Sequence, residues 1–568
     1  MTTTAEAIVE ILESLAVPRV FGYPGGRVIE VFEALAGSDI DVVRPRDERE
    51  ASVMAEAHGR LTGEPGVLMG QGPWIGSLGA IGQMEARLGS SPMVVLTEAS
   101  ERGDYSTLAP YQQARGDYGG LSLPKILDGI TKEHWFPRTP AETVRSVSLA
   151  FKHATAGRPG PTAVVLDGNA VTAEVPAEPT PPLWDAPAQT RSWQSRPTDD
   201  DVAAASAALS AAARPVIVSG NGVHAAGAYD ALAAVAEAYG AVVTTSYLGK
   251  STIPETHPLA AGVIGSFGHE GANQAVSEAD VLLVVGSRLN PMDVNWTAKG
   301  FIRPEEQTIV HADIDPRNAG WVYPTDIGLI GDAGESLEAL LGAAGESDDS
   351  HAWAEKRAAE ARQDFTAGPC KSDAEPIRPQ RAVKAIETVI DPETVVTADS
   401  GNNRFWLLNY VQTPAVRTYF GSGGVGGMGW SPPAAVSAAL ATDRDVISVA
   451  GDGGFAMTMT SVETAVDVGV APTFVVLNDT SLGMVRQMEE EPGAIPGVEF
   501  HDTDFVKLAE AFGAEAQRVT APDALAGALR NAKKRDVPTV IDVRIDRDEQ
   551  MVEQLQSSFY AAVGGLHE

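Results

Sequence analysis

Short β-branched runs alternate with Ala-rich amphipathic stretches along almost the whole chain, the pattern of strands and covering helices in parallel α/β layers. In the first third the apolar runs are "VPRVFGY", "DVVRP", "GVLMG", "PMVVLTE" and "PTAVVLD". In the middle they are "RPVIVSG", "GAVVTTS", "ADVLLVVG" and "QTIVHADID", and in the last third "ETVVTADS", "RDVISVAGD", "PTFVVLN" and "PTVIDVRI". Most of these runs end in a Gly, Asp, Asn or Ser loop. Ligands of open α/β sheets lie at the carboxyl ends of strands, so these loops are where function is expected.

Proline and charge interrupt the pattern twice. The stretch 175–197 is too rich in proline for a helix or an inner strand and reads as an extended linker. The second seam, 344–377, holds "GESDDS", a short helical pattern around "AWAEKRAAEARQDF" and then "GPCKSDAEP". The predicted fold class is therefore α/β, with three consecutive parallel-sheet domains at 1–174, 198–343 and 378–550 and a tail at 551–568.

Composition narrows the picture. The 568 residues include 76 Asp and Glu against 42 Lys and Arg, a net charge of −34 spread along the chain, which reads as a solvated surface suited to high salt. Nucleic acid and anionic membranes need a basic patch that no run here supplies, so neither is an expected partner. The single cysteine, Cys370, excludes an internal disulfide framework and reads as an inert thiol in a linker. The N-terminus lacks the basic and apolar segments of a leader, and no stretch of about 18 apolar residues occurs. A cytoplasmic protein is expected.

Candidate chemistry gathers in "VISVAGDGGFAMTMTSVETAVDVGVAPTFVVLNDTSLGMV", residues 446–485. One apolar strand delivers Gly451-Asp452-Gly453 onto a helix start, and a second ends at Asn478. Asp452, the Asn478 side-chain oxygen and a backbone carbonyl just beyond, that of Thr480, are hard oxygen ligands of the kind that hold Mg²⁺ while phosphate and water complete the octahedron. Gly453 and Gly454 allow the backbone to approach a phosphate, and the helix N-terminus adds amide donors.

Gly-Asp-Gly followed by 24 residues and Asn478 resembles the thiamine diphosphate fingerprint. The resemblance extends over nearly the whole chain to the acetolactate synthase group. "VPRVFGYPGGRVIEVFEAL" and "RDEREASVMAEAHGRLTG" match that group's first strand, GYPGG loop and following helix, and Glu48 aligns with the catalytic Glu. The cofactor's 4′-amino group acts as a base when a carboxyl group hydrogen-bonds the pyrimidine N1′, and Glu48 lies at a strand end suited to that task. The resemblance further implies an active-site role for Gln112 and cofactor contacts from Gly25, Gly26, Glu48, Pro73, Asn402, Asn403, Gly426, Met428, Gly451, Gly453, Gly454 and Met484. Met428 reads either as core packing or, as the resemblance implies, as the apolar residue that props the cofactor in its bent form.

Around Glu48, helical spacing puts Ala51, Ala55 and Gly59 on one close-packing face, leaving Glu50 and Glu56 as expected solvated or salt-bridging residues. Asp47 replaces the family's His and is expected to turn outward or to pair with Arg46 or Arg44. Lys132 is open between a site and a surface role, and His269 reads as solvated.

The departures concentrate near the substrate. Trp74 replaces a glycine, Met488 a tryptophan that helps choose the acceptor, and Arg288-Leu289-Asn290-Pro291 the group's Arg-Phe-Asp-Asp. Arg288 reads equally as part of a structural ion pair or as a phosphate contact, and FAD or another adenine-containing ligand of the middle domain stays open. The expected activity is thiamine diphosphate- and Mg²⁺-dependent decarboxylation of a 2-oxoacid, pyruvate first, with transfer of the carbanion to an acceptor carbonyl. The rivals are a related decarboxylase or acyltransferase for sulfonated or CoA-linked substrates, a non-catalytic homologue, and a plain nucleotide-binding module. The resemblance implies a homodimer or homotetramer with cofactors shared between chains. A regulatory small subunit is left open.

Overall fold

The computed structural model describes residues 2–100, 103, 112–117, 119–291, 293–294, 300–345, 351–366, 368–489, 491 and 493–551, so the tail 552–568 lies outside the described residues. Three six-stranded parallel sheets follow one another among these residues. The first contains β1 (Arg19–Gly22), β2 (Asp41–Val43), β3 (Gly66–Gly70), β4 (Met93–Ala99), β5 (Glu133–Trp135) and β6 (Pro161–Asp167), in the order β2-β1-β3-β4-β6-β5. Its inner strands are apolar without alternation, with every residue of β3, β4 and β6 buried, because helices cover both faces.

The central sheet contains β7 (Pro215–Ser219), β8 (Val242–Thr245), β9 (Ala260–Val263), β10 (Val281–Val285), β11 (Thr308–Asp313) and β12 (Ile327–Ile330). Its order, β12-β11-β10-β7-β8-β9, is that of dinucleotide-binding sheets, with the chain reversing direction between β7 and β10. Within the second seam the helix Ala352–Ala361 buries Ala354, Ala358 and Ala361 in this domain's core.

The third sheet contains β13 (Thr394–Ala398), β14 (Tyr419–Gly421), β15 (Asp445–Gly451), β16 (Thr473–Asn478), β17 (Glu515–Val519) and β18 (Thr539–Arg544). Its order, β14-β13-β15-β16-β18-β17, repeats that of the first sheet.

The first and third domains share a hydrophobic core. The helix Glu48–Thr62 lies against Ser431–Ala441, whose Pro432 and Pro433 start the helix and whose Ala434, Ala435 and Ala438 let the two backbones approach. The Ser437 hydroxyl donates to the Met54 carbonyl across this seam. Every residue of Glu48–Thr62 except Arg49 and Thr62 is thus buried, including the two carboxylates expected to be solvated or salt-bridging. Glu50 and Glu56 are 1 % and 0 % exposed rather than solvated. Glu56 does form an ion pair, with Arg60, but inside the protein.

Candidate active site

Glu48 is the first residue of its helix, just beyond β2, and is buried. It lines a pocket with Tyr23, Pro24, Gly25, Arg46, Gln71, Trp74 and Leu78. Burial, and after it the charge of Asp47, push the Glu48 carboxyl above the usual range. Asp47 neither turns away nor pairs with Arg46 or Arg44. It caps the helix by accepting from the Glu50 amide at 2.9 Å, while Arg46 pairs with Glu463 and Asp467 of the third domain. The Gln71 amide nitrogen donates to the Gln112 side-chain oxygen at 3.2 Å, which brings Gln112 to this pocket. Gly26 takes φ +54°, and a Cβ there would fall 2.7 Å from a Glu98 carboxylate oxygen, so a side chain would be strained and would displace Glu98. Pro73 is buried at the start of the helix Gly72–Ile75, and Trp74 on the same turn is 41 % exposed at the pocket.

A second cleft opens at the carboxyl ends of the third sheet. Gly401, Asn402, Asn403, Met428, Gly451, Asp452, Gly453, Gly454, Asp479, Ser481 and Met484 line it. The helix Asn402–Tyr410 points its N-terminus into this cleft, aiming free amides and the positive end of its dipole at the place a diphosphate needs them. Gly453 could carry no side chain without pressing Met428 and Phe500, and Gly454 none without striking Asp399. Gly426 is engaged elsewhere, its amide donating to Glu85 at 3.2 Å.

The two ligands expected beyond Asp452, Asn478 and the Thr480 carbonyl, lie away from this cleft. The Asn478 side chain donates to Asp542 at 2.8 Å, and its oxygen accepts from Arg544 at 2.9 Å and from the Thr480 amide. The Thr480 carbonyl accepts from the Phe500 amide. Neither residue lines the cleft. Side chains alternate along a strand, and Asn478, still within β16, faces the neighbouring β18, so the first residue beyond the strand, Asp479, reaches the cleft. Asp479 meets Asp452, whose carboxyl is pushed up to about 7 by burial and then by Asp479. Two carboxyl groups facing each other, one buried and one half-buried, are the donor set that a divalent cation relieves. Among the described residues no three His, Cys, Asp or Glu side chains converge, so diphosphate oxygens and a backbone carbonyl would complete the shell.

Among the described residues the two clefts share no lining residue: the first is built from residues 23–78 and the second from 379–549. A third cavity, of about 340 Å³, lies at the direction reversal of the central sheet, between the ends of β7 and β10. Gly220, Gly222 and Gly286 approach one another too closely there for any Cβ. Arg158 and Arg288 both line it, and Arg288 donates to the Leu88 carbonyl at 2.8 Å rather than forming an ion pair there.

Residues outside these sites also resolve. Lys132 donates to the carbonyls of His153, Ala156 and Arg158 and is a loop clamp. His269 is not solvated: it is 2 % exposed, its Nδ1 accepts from the Val263 amide and its Nε2 faces the Asn409 carbonyl. Burial and then Lys250 depress its pKa to about 3. Cys370 is buried.

Three family models match in chain order: the N-terminal thiamine pyrophosphate-binding domain over residues 2–119, the central domain over 202–340, and the C-terminal thiamine pyrophosphate-binding domain over 399–543. The chain belongs to the thiamine pyrophosphate enzymes. It is similar to the probable acetolactate synthase large subunit of Methanocaldococcus jannaschii, at 34% identity over 96% of this chain and 92% of that one. It is similar also to the acetolactate synthase large subunit of Lactococcus lactis, at 31% over 100% and 96%. With isozyme 3 of Escherichia coli the identity is 30% over 97% and 96%. Thiamine pyrophosphate is the thiamine diphosphate of the fingerprint, and the two matched binding domains are those that carry the Glu48 pocket and the Asp452 cleft.

Sequence reasoning missed Asp479, Asp399, Gln71 and Glu85. Asp399 is the first residue beyond β13 and accepts from the Gly429 and Trp430 amides at 2.9 and 3.0 Å; burial pushes its pKa up to about 6. The strand-end rule that selected Glu48 would have found it.

Glu50 gives a prediction about stability. Thr460 of the third domain donates to its Oε1 at 2.5 Å, and burial, followed by smaller effects including Asp47, pushes its carboxyl up to about 8. Between the ordinary value of 4.5 and about 8 the folded chain therefore holds a proton that the unfolded chain gives up. Stability falls as pH rises through that window, by at most about 1.4 kcal/mol per pH unit from this group. Glu50→Gln keeps an acceptor for Thr460 and no charge, so equilibrium denaturation at pH 5, 6.5 and 8 should show a shallower decline than wild type. Equal slopes would refute the assignment.

Proposed function

We propose that the protein is an acetolactate synthase-type carboligase that decarboxylates pyruvate and joins the remaining two-carbon unit to the carbonyl of an acceptor 2-oxoacid. The observation that carries this reading is one chain's possession of both halves of a cofactor site: an activating carboxyl, Glu48, in the first domain and a cation-ready cleft floored by Met428 in the third. The relatives, named as acetolactate synthase large subunits, support it.

When bound, thiamine diphosphate supplies an acidic carbon that adds to the substrate carbonyl and a ring that accepts the electrons CO₂ leaves behind. Asp452 and Asp479 would hold Mg²⁺. The amides at Asn402 and beside Gly453 would cradle the diphosphate. Met428 and Met484 present apolar surface to the ring system. Glu48, whose carboxyl burial pushes above the usual range, would share a proton with the pyrimidine N1′. Gln71 and Gln112 give the pocket amide donors suited to a 2-oxoacid carboxylate, and Trp74 narrows the acceptor side. Trp74 also favours a second reading, in which the acceptor differs from that of the relatives.

Because the halves open separately in one chain, the reading requires two copies, each donating its Glu48 pocket to the partner's Asp452 cleft. The dimer, or a dimer of dimers, is thus part of the proposal, as are a cytoplasmic location and a small regulatory subunit of the kind implied by the relatives' "large subunit" names. The proposal places FAD or a related adenine ligand in the central cavity, where burial and then Arg288 weaken the hold of Arg158 on its proton, a strain that a phosphate would relieve. Incubating the purified protein in molar salt with Mg²⁺, thiamine diphosphate and pyruvate, with and without 2-oxobutyrate, should yield CO₂ and acetohydroxyacids. CO₂ without acetohydroxyacid would sink the carboligase reading. The absorbance of the same preparation reports bound flavin.

A further inference from the structure

A buried network joins the helix Glu48–Thr62 to the glycine-rich loop that carries Met428 in the same chain. Glu85 Oε1 accepts from the amides of Gly423 and Gly424 at 2.9 and 2.7 Å, and Oε2 from those of Val425 and Gly426 at 2.7 and 3.2 Å. Arg60 donates to Glu85 at 2.7 Å, to Glu56 at 2.8 Å and to the Gly421 carbonyl at 2.6 Å. Glu56 in turn accepts from the Trp430 indole at 2.8 Å and the Ser91 hydroxyl at 2.6 Å. The three charged side chains are at most 3% exposed.

The loop is therefore gripped by the first domain on both sides of Met428, at Gly421–Gly426 and at Trp430. Asp399 fixes the Gly429 and Trp430 amides from beneath. Only the crest, Gly427 and Met428, is free of this grip. Gly424 could bear no Cβ, which would fall 2.6 Å from the Glu85 carbonyl, so the contact is built for that backbone. Two carboxylates and one guanidinium out of water form a costly way merely to fill space, since apolar side chains of similar volume usually do as well. What the network provides is direction: four successive amides held on one carboxylate fix a loop that glycine would otherwise leave loose.

We propose that Glu85, seated by Arg60 and Glu56, is a positioning residue that sets the height of Met428 beneath the cofactor. The helix whose first residue, Glu48, serves one cofactor would then fix the floor of the other cofactor through its far end. This rests on the proposed function, in which Met428 props the cofactor and two copies share each site.

The test is a double-variant cycle on the full chain with Glu85→Gln, Met428→Ala and both together. Glutamine keeps one acceptor oxygen and loses the other. The measurements are calorimetric affinity for thiamine diphosphate with Mg²⁺, and exchange of the bound cofactor's C2 proton for deuterium after acid quench. Each single variant should keep affinity within about threefold while slowing exchange about tenfold or more, and the double variant should be no slower than the slower single. A merely structural role would lower occupancy or melting temperature without changing exchange in occupied sites. Wild-type exchange in Glu85→Gln, or slowing that multiplies in the double variant, would overturn the proposal. Should Glu85→Gln not fold, Arg60→Lys, which keeps the charge but loses the three-way fork, replaces it with the same two outcomes. A wild-type protein that neither binds the cofactor nor exchanges its proton overturns the proposed function itself, and this proposal with it.

Discussion

Glu48→Gln should lower kcat for pyruvate by about two to three orders of magnitude while leaving the affinity for thiamine diphosphate within about threefold of wild type. The side chain is buried among Tyr23, Pro24, Gly25 and Gln71, and an amide of the same shape fits that space without disturbing it. What the amide lacks is a proton to give and take at the position where the pyrimidine nitrogen must be polarised. Binding, which depends on the diphosphate cleft of the third domain, is left alone. Steady-state kinetics with calorimetry separates the two effects. A variant with kcat within a few-fold of wild type would remove Glu48 from the chemistry, and a matching loss of affinity would make it a binding group instead.

The second large effect is expected at the cation. Asp479→Ala removes one of the two carboxylates that meet in the third-domain cleft, so Mg²⁺ affinity should fall by about a hundredfold or more and cofactor binding should fall with it. Asn478→Ala should behave differently. Its side chain bridges Asp542 and Arg544 away from the cleft, and its loss should cost stability, about 1–2 kcal/mol, with metal affinity nearly unchanged. Metal titrations followed by intrinsic fluorescence, beside denaturant melts, check both. If Asn478→Ala loses the metal and Asp479→Ala keeps it, the ligand assignment drawn from the cleft is reversed.

This pair of residues shows where the sequence was legible. The three parallel sheets were visible in the spacing of apolar runs, because strands covered on both faces leave an uninterrupted apolar record. Strand ends pointed to loops that line the third-domain cleft, Gly451–Gly454 and the segment after "TFVVLN". Which of two neighbouring polar residues faces the ligand depends on strand parity, and one residue of uncertainty in the end of β16 exchanges Asn478 for Asp479. The Rossmann-like character expected of the central domain came from the resemblance; the apolar runs alone carry no strand order, which is a property of the assembled domain.

The carboxylates of the Glu48 helix failed for a different reason. Helical spacing distinguishes a packed face from a solvated one only when one face meets water. Here the other face meets a domain some four hundred residues later in the chain, where Thr460 receives Glu50 and Trp430 receives Glu56. His269 was misjudged likewise, for its glycine-rich loop is folded beneath the third domain's Asn409. Non-local burial leaves no periodic trace in the local sequence.

The most direct test of the account is a mixing experiment with two inactive variants, Glu48→Gln and Asp479→Ala, dissociated together and reassociated with thiamine diphosphate and Mg²⁺. Each fails in a different half of the site. In a mixed dimer one site joins an intact Glu48 pocket to an intact Asp452–Asp479 cleft. Random pairing makes half the dimers mixed with one good site of two, so acetolactate formation from pyruvate should return to about a quarter of the wild-type rate. A reassociated mixture no more active than either variant alone would contradict the shared site on which the account stands.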